Sequence, residues 1–388
     1  MSYRCLAPAF TAALLPLSAH AQMSGMDMTP KSGWTVMAHT TLTLAADDQQ
    51  GPRGGSKTFL EGMSMIMADR ALSADTDLEL QAMLSPDPFM GKSGYPLLLQ
   101  TGETADGATP LIDRQHPHDL FMGLTASVRH RFGDGVSGFV RAGWPGENGF
   151  GPQTFMHRPS GEMFPTAPIT HHWFDSGHIT MGVVTAGLSK GPLQLEVSGF
   201  TGREPDQHRF NLDRPRLDSA SARVSWRITN DLSAQASWAH VVSPEQIEPD
   251  VNLIQKSVSL AYGHSFSAGT LDSTLAFGRK SVTGGDEKPS DALLFENTFH
   301  FNGPWLGLLR HERVYNDELV PGAAYWVGKT EIGVARDIAL PRGIKLSVGV
   351  VRQFNAIPGA LRGVYGGHPD GTVAFLRLTQ HWMPGMEM

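Results

Sequence analysis

The chain has 388 residues, 38 acidic and 31 basic, a formal charge of −7 and one cysteine. With no long basic run, that balance argues against nucleic acid as a partner, and a lone cysteine excludes disulfides. The 43 glycines and 8 tryptophans suit strands and turns better than helices, and no Pro/Ser-rich linker divides the chain, so one large domain is expected.

The N-terminus carries Arg4, an apolar run over 5–17 and then Ala19-His20-Ala21, the layout of a secretory signal peptide spanning 1–21. The apolar run is too short to cross a bilayer as a helix. Cleavage after Ala21 removes Cys5, and thiol chemistry with it. A methionine-rich tail, 22–33, follows. Beyond it no run of 18 apolar residues recurs, so no membrane helix is expected.

What recurs is alternation with period two. Leu78, Leu80, Ala82 and Leu84 interleave with Glu79, Gln81 and Met83; Ala222, Val224, Trp226 and Ile228 interleave with Arg223, Ser225 and Arg227. These are half-buried strands. About sixteen such segments follow one another, near the roughly 9–11 residues that a tilted strand needs to cross a bilayer. They span 34–45, 57–68, 76–85, 120–132, 136–144, 178–188, 191–201, 217–228, 231–242, 253–264, 269–280, 291–302, 305–315, 323–337, 343–354 and 372–382.

From the third segment onward the connections alternate between short and long. Gly133-Asp134-Gly135, Ser189-Lys190 and Thr229-Asn230 are short; 86–119, 145–177, 202–216, 243–252, 281–290 and 355–371 are long. Short turns at one end, long loops at the other and an even strand count predict an all-β, antiparallel transmembrane barrel over 34–382, with periplasmic termini and external loops. A soluble sandwich or propeller has no reason to gather its long loops at one end.

On these features the chain resembles a bacterial outer-membrane β-barrel of porin-like size, and its loop motifs resemble those of a family of exported proteins. The resemblance covers nearly all of the chain after the signal peptide. It implies outer-membrane lipid as surroundings, a small solute or ion as partner and a homo-oligomer as one possible assembly. The last segment departs from the usual barrel-closing strand by adding a methionine-rich tail, 383–388.

Three polar stretches lie in or beside the long loops: Asp113-Arg114-Gln115-His116-Pro117-His118-Asp119; His157-Arg158 through His171-His172 to Asp175 and His178; and Gly202-Arg203-Glu204-Pro205-Asp206-Gln207-His208-Arg209, with Arg203, Glu204 and Asp206 as its candidates. If their strands are neighbours, all three leave the sheet at one end and form a constriction or ligand site. Pro117 favours an extended His116, which sets His116 and His118 on one side of the backbone. With His172 and His178 they are the expected ligands of a divalent transition metal, since thiol-free, His-rich sites suit Zn, Cu(II), Ni or Fe. The alternative is a network of His–Asp and Arg–Asp hydrogen bonds that folds the loops inward.

Met23, Met26, Met28, Met383, Met386 and Met388 bring thioethers to the tails, where soft sulfur suits copper as Cu(I). Met63, Met65 and Met67 share a strand face with Lys57, Glu61 and Asp69 and are expected to face the lumen, as filler or as a ladder for a soft ion. Arg129, Arg131, Arg141, Arg223 and Arg227 read as a lumenal charge ladder facing acids such as Glu196. The leading expectation is therefore an outer-membrane channel for a small solute or ion, copper or another transition metal among them, rather than an enzyme. A hydrolase using His172, Asp175 and Ser176 or Ser160 is the alternative, and a structural barrel or adhesin the third.

Overall fold

The computed structural model describes residues 33–285 and 288–383. The expected signal peptide and Met23, Met26, Met28, Met386 and Met388 lie outside the described residues.

Among the described residues eighteen strands form. In chain order they begin with β1 (Trp34–Gln49), β2 (Gly55–Ala71), β3 (Thr76–Leu84), β4 (Tyr95–Thr104), β5 (Pro110–Gln115) and β6 (Phe121–Gly133). Next come β7 (Val136–Gly143), β8 (Val183–Lys190), β9 (Leu193–Phe200), β10 (Ser219–Arg227), β11 (Leu232–Val242) and β12 (Asn252–Phe266). The chain ends with β13 (Gly269–Val282), β14 (Ser290–Phe301), β15 (Trp305–Val320), β16 (Ala323–Ala339), β17 (Ile344–Ala356) and β18 (Gly371–Trp382).

All but β4 and β5 close into one barrel, each strand antiparallel to its neighbours, with β18 returning to β1. Among the described residues the barrel leaves no strand edge unpaired, which is the condition for a sheet to cross a bilayer. The polarity is inverted to match. Leu195 and Val258 are 48% and 50% exposed on the outer face, whereas Glu296, Arg310, Lys329 and Glu331 are fully buried inside. An apolar belt outside and charge within define a membrane barrel, and they place the protein in an outer membrane.

Short turns close one end. Asp134 and Gly135, at φ 49° and 71°, adopt the left-handed pair that a two-residue hairpin of this twist demands. Loops 85–120, 144–182 and 201–218 all leave the opposite end, beside one another, because β3, β6, β7, β8, β9 and β10 are consecutive in the sheet.

Three features differ from the expectation. First, β15 and β16 run on to Val320 and Ala323 and meet at a tight turn, so the loop end has one connection as short as those opposite. Second, the segment expected from 178 becomes a strand only at Val183, because Ile179 and Met181 are buried in the loop packing instead. Third, loop 85–120 contains the hairpin β4–β5, every residue of whose first strand is buried.

That hairpin and loop 144–182 fill part of the barrel. Leu97, Leu98, Leu99, Phe164, Trp173 and Phe174 pack together against inward side chains of the wall, including Phe59, Leu294, Leu308 and Phe375.

The inverted polarity has a measurable consequence. Val258→Arg, on the lipid face, should destabilise the barrel by roughly 2–4 kcal/mol if it sits near mid-membrane, while Ser259→Arg, one residue on and facing the lumen, should cost far less. Urea titration of both variants refolded into lipid vesicles checks the difference.

Candidate functional site

The loop plug is held to the wall by buried ion pairs. Arg158 Nε donates to Glu296 Oε1 at 2.9 Å and lies 3.6 Å from Asp175. Arg310 pairs with Glu331, lies 3.5 Å from both Glu296 and Glu312, and donates to the carbonyl of Thr166. Thr170 donates through its backbone N–H and its hydroxyl to Glu312. Arg158–Glu296 joins loop to wall, while the Arg310 pairs lie within the wall and hold the loop through Arg310's bonds to Thr166 and Glu312's bonds to Thr170. In so desolvated a setting, losing one partner of a pair leaves an uncompensated charge and costs about 3–5 kcal/mol.

Within this plug the three loops meet. His116 and His118 come from the first loop, His171, His172 and His178 from the second, Glu204 and Arg209 from the third. Arg209 pairs with Glu103 and, at 3.2 Å, with Asp119, and its carbonyl accepts the N–H of Leu120.

The imidazoles cluster tightly. His118 and His178 have ring centroids 5.1 Å apart, His171 and His178 also 5.1 Å, and His116 lies 6.2 Å from both His118 and His171. Each ring has an acceptor close to Nδ1. His118 Nδ1 is 2.8 Å from Asp87 Oδ2, His171 Nδ1 is 2.6 Å from Asp175 Oδ1, and His178 Nδ1 is 2.7 Å from the carbonyl of Asp175. His116 Nδ1 is 3.2 Å from Glu103 Oε1. An acceptor at Nδ1 fixes the hydrogen there and leaves the lone pair on Nε2. The Nε2 atoms of His116, His118, His172 and His178 are buried with no hydrogen-bond partner, and of these four rings all but His172 line one cavity.

His116, His118, His171 and His178 line a cavity of about 10 Å³, room for a single water or ion. In metal-binding histidines a carboxylate or carbonyl on one ring nitrogen likewise orients the other toward the metal. Metal–nitrogen bonds of about 2.0–2.1 Å put tetrahedral ligand rings on the order of 5 Å apart, which the His118–His178 and His171–His178 pairs match. His116 stands wider. Among the described residues no three His, Cys, Asp or Glu side chains already have ligand geometry, so binding requires the rings to turn inward.

The charges favour a cation. Burial lowers the pKa of His116 and His178 well below the ordinary histidine value and also lowers that of His171, which keeps these rings in the neutral form a metal needs. Burial pushes Glu103 and Asp119 up to about 7 against the pull of Arg209. His172 differs: burial opposes its charge, but Glu204 beside it outweighs burial and raises its pKa to about 9. Around the rings stand Asp87, Glu103, Asp119, Asp175 and Glu204, facing two guanidiniums, Arg158 and Arg209, and the charged His172. Negative charge is in excess, and a proton or a metal ion relieves it.

The expected site residues thus separate. His116, His118 and His178 converge, and His171 rather than His172 joins them at the cavity. The His172 ring packs onto Gly102 so closely that a Cβ there would lie 2.6 Å from Nε2. Asp175, Arg158 and Glu204 support the cluster. Asp113, at φ 58°, lies apart and binds Arg53, the N–H of Leu99 and the hydroxyl of Tyr365. Arg114 reaches the carbonyl of Ser93, Arg203 that of Ser243, and Asp206 pairs with the exposed His208. His157 is turned toward the lumen. The suggested triad is not assembled, since Asp175 bonds His171, and Ser160 bonds Glu296 and Thr274.

Sequence reasoning missed Asp87 and Glu103 beside the rings and the anchors Glu296, Arg310, Glu312 and Glu331, whereas Arg209 closes the third polar stretch without being one of its candidates. Glu296 and Glu331 carried a signal, the inward parity of strands whose exposed positions are mainly apolar; Arg310 and Glu312 did not, because His311 and Arg313 are exposed on the other face of the same strand. Of the expected charge ladder, Arg141, Arg223 and Arg227 line the lumen, and Arg223 donates to Glu196 at 2.8 Å.

No protein-family model matches the sequence, and no curated protein is similar to it in sequence. Solved structures do resemble the fold. An anion-selective porin from Comamonas acidovorans superposes with a TM-score of 0.56 at 11% identity, over 91% of this chain and 100% of that one. OmpF of Salmonella typhi, in complex with daunomycin, gives 0.56 at 10% identity, over 89% and 97%. OmpT, an outer membrane protein of Vibrio cholerae, gives 0.53 at 7% identity, over 92% and 99%. The fold is that of the sixteen-stranded outer-membrane porins.

The raised pKa of Asp119 makes a testable statement. A carboxyl whose folded pKa lies above its unfolded value contributes stability in full at low pH and loses it as pH rises through the folded value, here between about 4 and 7. Asp119→Asn keeps the neutral form at every pH, and Arg209 retains Glu103. In chelator-treated protein the variant should match wild type at pH 4 and exceed it at pH 8, on the order of 2–4 kcal/mol. Protease cleavage of loop 85–120 at the two pH values checks it.

Proposed function

We propose that this protein is an outer-membrane channel for a small solute, whose inward-folded loops form a constriction held by a divalent transition-metal ion at His116, His118, His171 and His178. The observation that carries the reading is that three of the imidazoles lining the cavity, His116, His118 and His178, have Nδ1 beside acceptors and Nε2 unpartnered. A buried polar atom without a partner costs about 1–3 kcal/mol, and three around one ion-sized cavity point to a shared ligand. The channel itself is supported by a lumenal vestibule of about 890 Å³ on the periplasmic side, walled by Arg141, Arg223, Arg227 and Glu79, with loop 144–182 across it. The charges there favour a polar or charged solute.

Single-channel recording in planar bilayers tests both parts. Wild type should give discrete conductance steps that grow when a chelator removes the metal and shrink when Zn(II) returns. His118→Ala and His178→Ala should give the larger steps from the outset and ignore both treatments. No conductance in any state would end the channel reading. Conductance changes shared by the His variants and Asp175→Asn, with no response to metal, would make the constriction a hydrogen-bonded one and withdraw the ion.

A further inference from the structure

On the vestibule side of the histidine cavity, and with none of that cavity's histidines, the inner wall of β1, β2, β3 and β18 carries sulfur and imidazole. The register aligns them. His381 of β18 is paired with His39 of β1, His39 with Met65 of β2, and Met65 with Met83 of β3, so one row of the sheet reads imidazole, imidazole, thioether, thioether. Two residues along, Met37 is paired with Met67 on the same face. Directly paired residues have Cβ atoms about 4.5–5.5 Å apart, so these side chains are neighbours by construction.

The contacts agree. His39 Nδ1 and His381 Nδ1 are 3.0 Å apart with ring centroids at 4.4 Å, and the far nitrogen of His39 lies 3.2 Å from the Thr41 hydroxyl. The amide of Gln81 donates to the sulfur of Met65 at 3.0 Å. Met37, Met65, Met67, His39 and His381 all line the periplasmic vestibule, and Met383 and His157 join them.

Methionine as plain filler would not be sorted this way. The outer face needs bulky apolar side chains at every second position and takes Leu, Val, Ile, Phe and Trp. Among the described residues no methionine is one of its exposed large apolar side chains. A thioether is as compatible with lipid as leucine, so the segregation selects for sulfur rather than for bulk. The thioethers also continue inward: Met63, Met83 and Met122 pack with Ile179, which lines the histidine cavity. Met122 belongs to this group because the pairing of β3 with β6 shifts register between Met83 and Leu84, and the bulge turns it inward.

We infer that the vestibule holds a binding site for a soft monovalent cation, Cu(I), with His39, His381 and Met65 as its first ligands and Met37 and Met67 beside them. Thioether and imidazole together suit Cu(I), and the absence of carboxylate from the row disfavours hard divalent ions. Two ring nitrogens 3.0 Å apart share one proton in the free protein; a small rotation lets them share a cation instead. The site is distinct in place and chemistry from the histidine cavity and stands whether or not that cavity binds metal.

The test uses the full chain in detergent, with Cu(I) competed against a colorimetric chelator and with X-ray absorption of the copper-loaded protein. Wild type should show mixed sulfur and nitrogen ligation. The combined Met37→Leu, Met65→Leu, Met67→Leu variant and the His39→Gln, His381→Gln variant should each weaken Cu(I) binding at least tenfold, with Zn(II) uptake unchanged. Replacing Met23, Met26, Met28, Met386 and Met388 by Leu should leave the site intact. Wild-type affinity in the wall variants, loss confined to the tail variant, or copper with no sulfur neighbour would each overturn the inference.

Discussion

A backbone inside a bilayer has no water to bond, so each N–H and C=O must find its partner within the protein. Everything else here depends on that constraint. It forces β18 back onto β1, it fixes the parity by which one face of every strand meets lipid and the other meets the lumen, and it makes the interior the only place where charge can go. Arg310, Glu296, Glu312 and Glu331 are buried for that reason, and they then serve as the sockets into which the external loops dock.

Docking turns the loops from surface segments into a second core. Packing the β4–β5 hairpin and loop 144–182 against the wall removes both apolar and ionised groups from water, and the apolar contacts offset the cost of the charges. The histidines are held inside that core by partners of their own, Asp87 for His118 and Asp175 for His171 and His178. Loop positions are ordinarily the least exact in a fold. Here they inherit the rigidity of the barrel.

Much of this was legible in the residues. Alternation at Ala222 to Ile228 marks a strand whatever its surroundings, and the loop lengths place the three polar stretches at one end. The β4–β5 hairpin was hidden because Tyr95 to Thr104 is buried on every side, which erases the period-two pattern. His171 and His172 are adjacent and chemically identical, and only a helical turn with Asp175 four residues on decides which faces the cavity. Asp87 and Glu103 carry no local mark, since their partners His118 and Arg209 lie 31 and 106 residues away. The methionines of β2 were readable as lumenal by their charged neighbours, but the row with His381 requires a register between the first and last strands, which no local pattern contains.

The Asp113 contact has a bearing on how the molecule is built. Asp113 is gripped by Arg53, from the turn between β1 and β2, and by Tyr365, from the connection between β17 and β18, while Arg53 also donates to Tyr365. These two connections lie on either side of the β1–β18 seam. The first loop of the plug therefore acts as a latch across the seam, and its last contact forms only when the C-terminal hairpin arrives beside the N-terminal one. Assembly of the wall and assembly of its contents end in the same event, so a barrel with an open seam is also one with an unfinished interior.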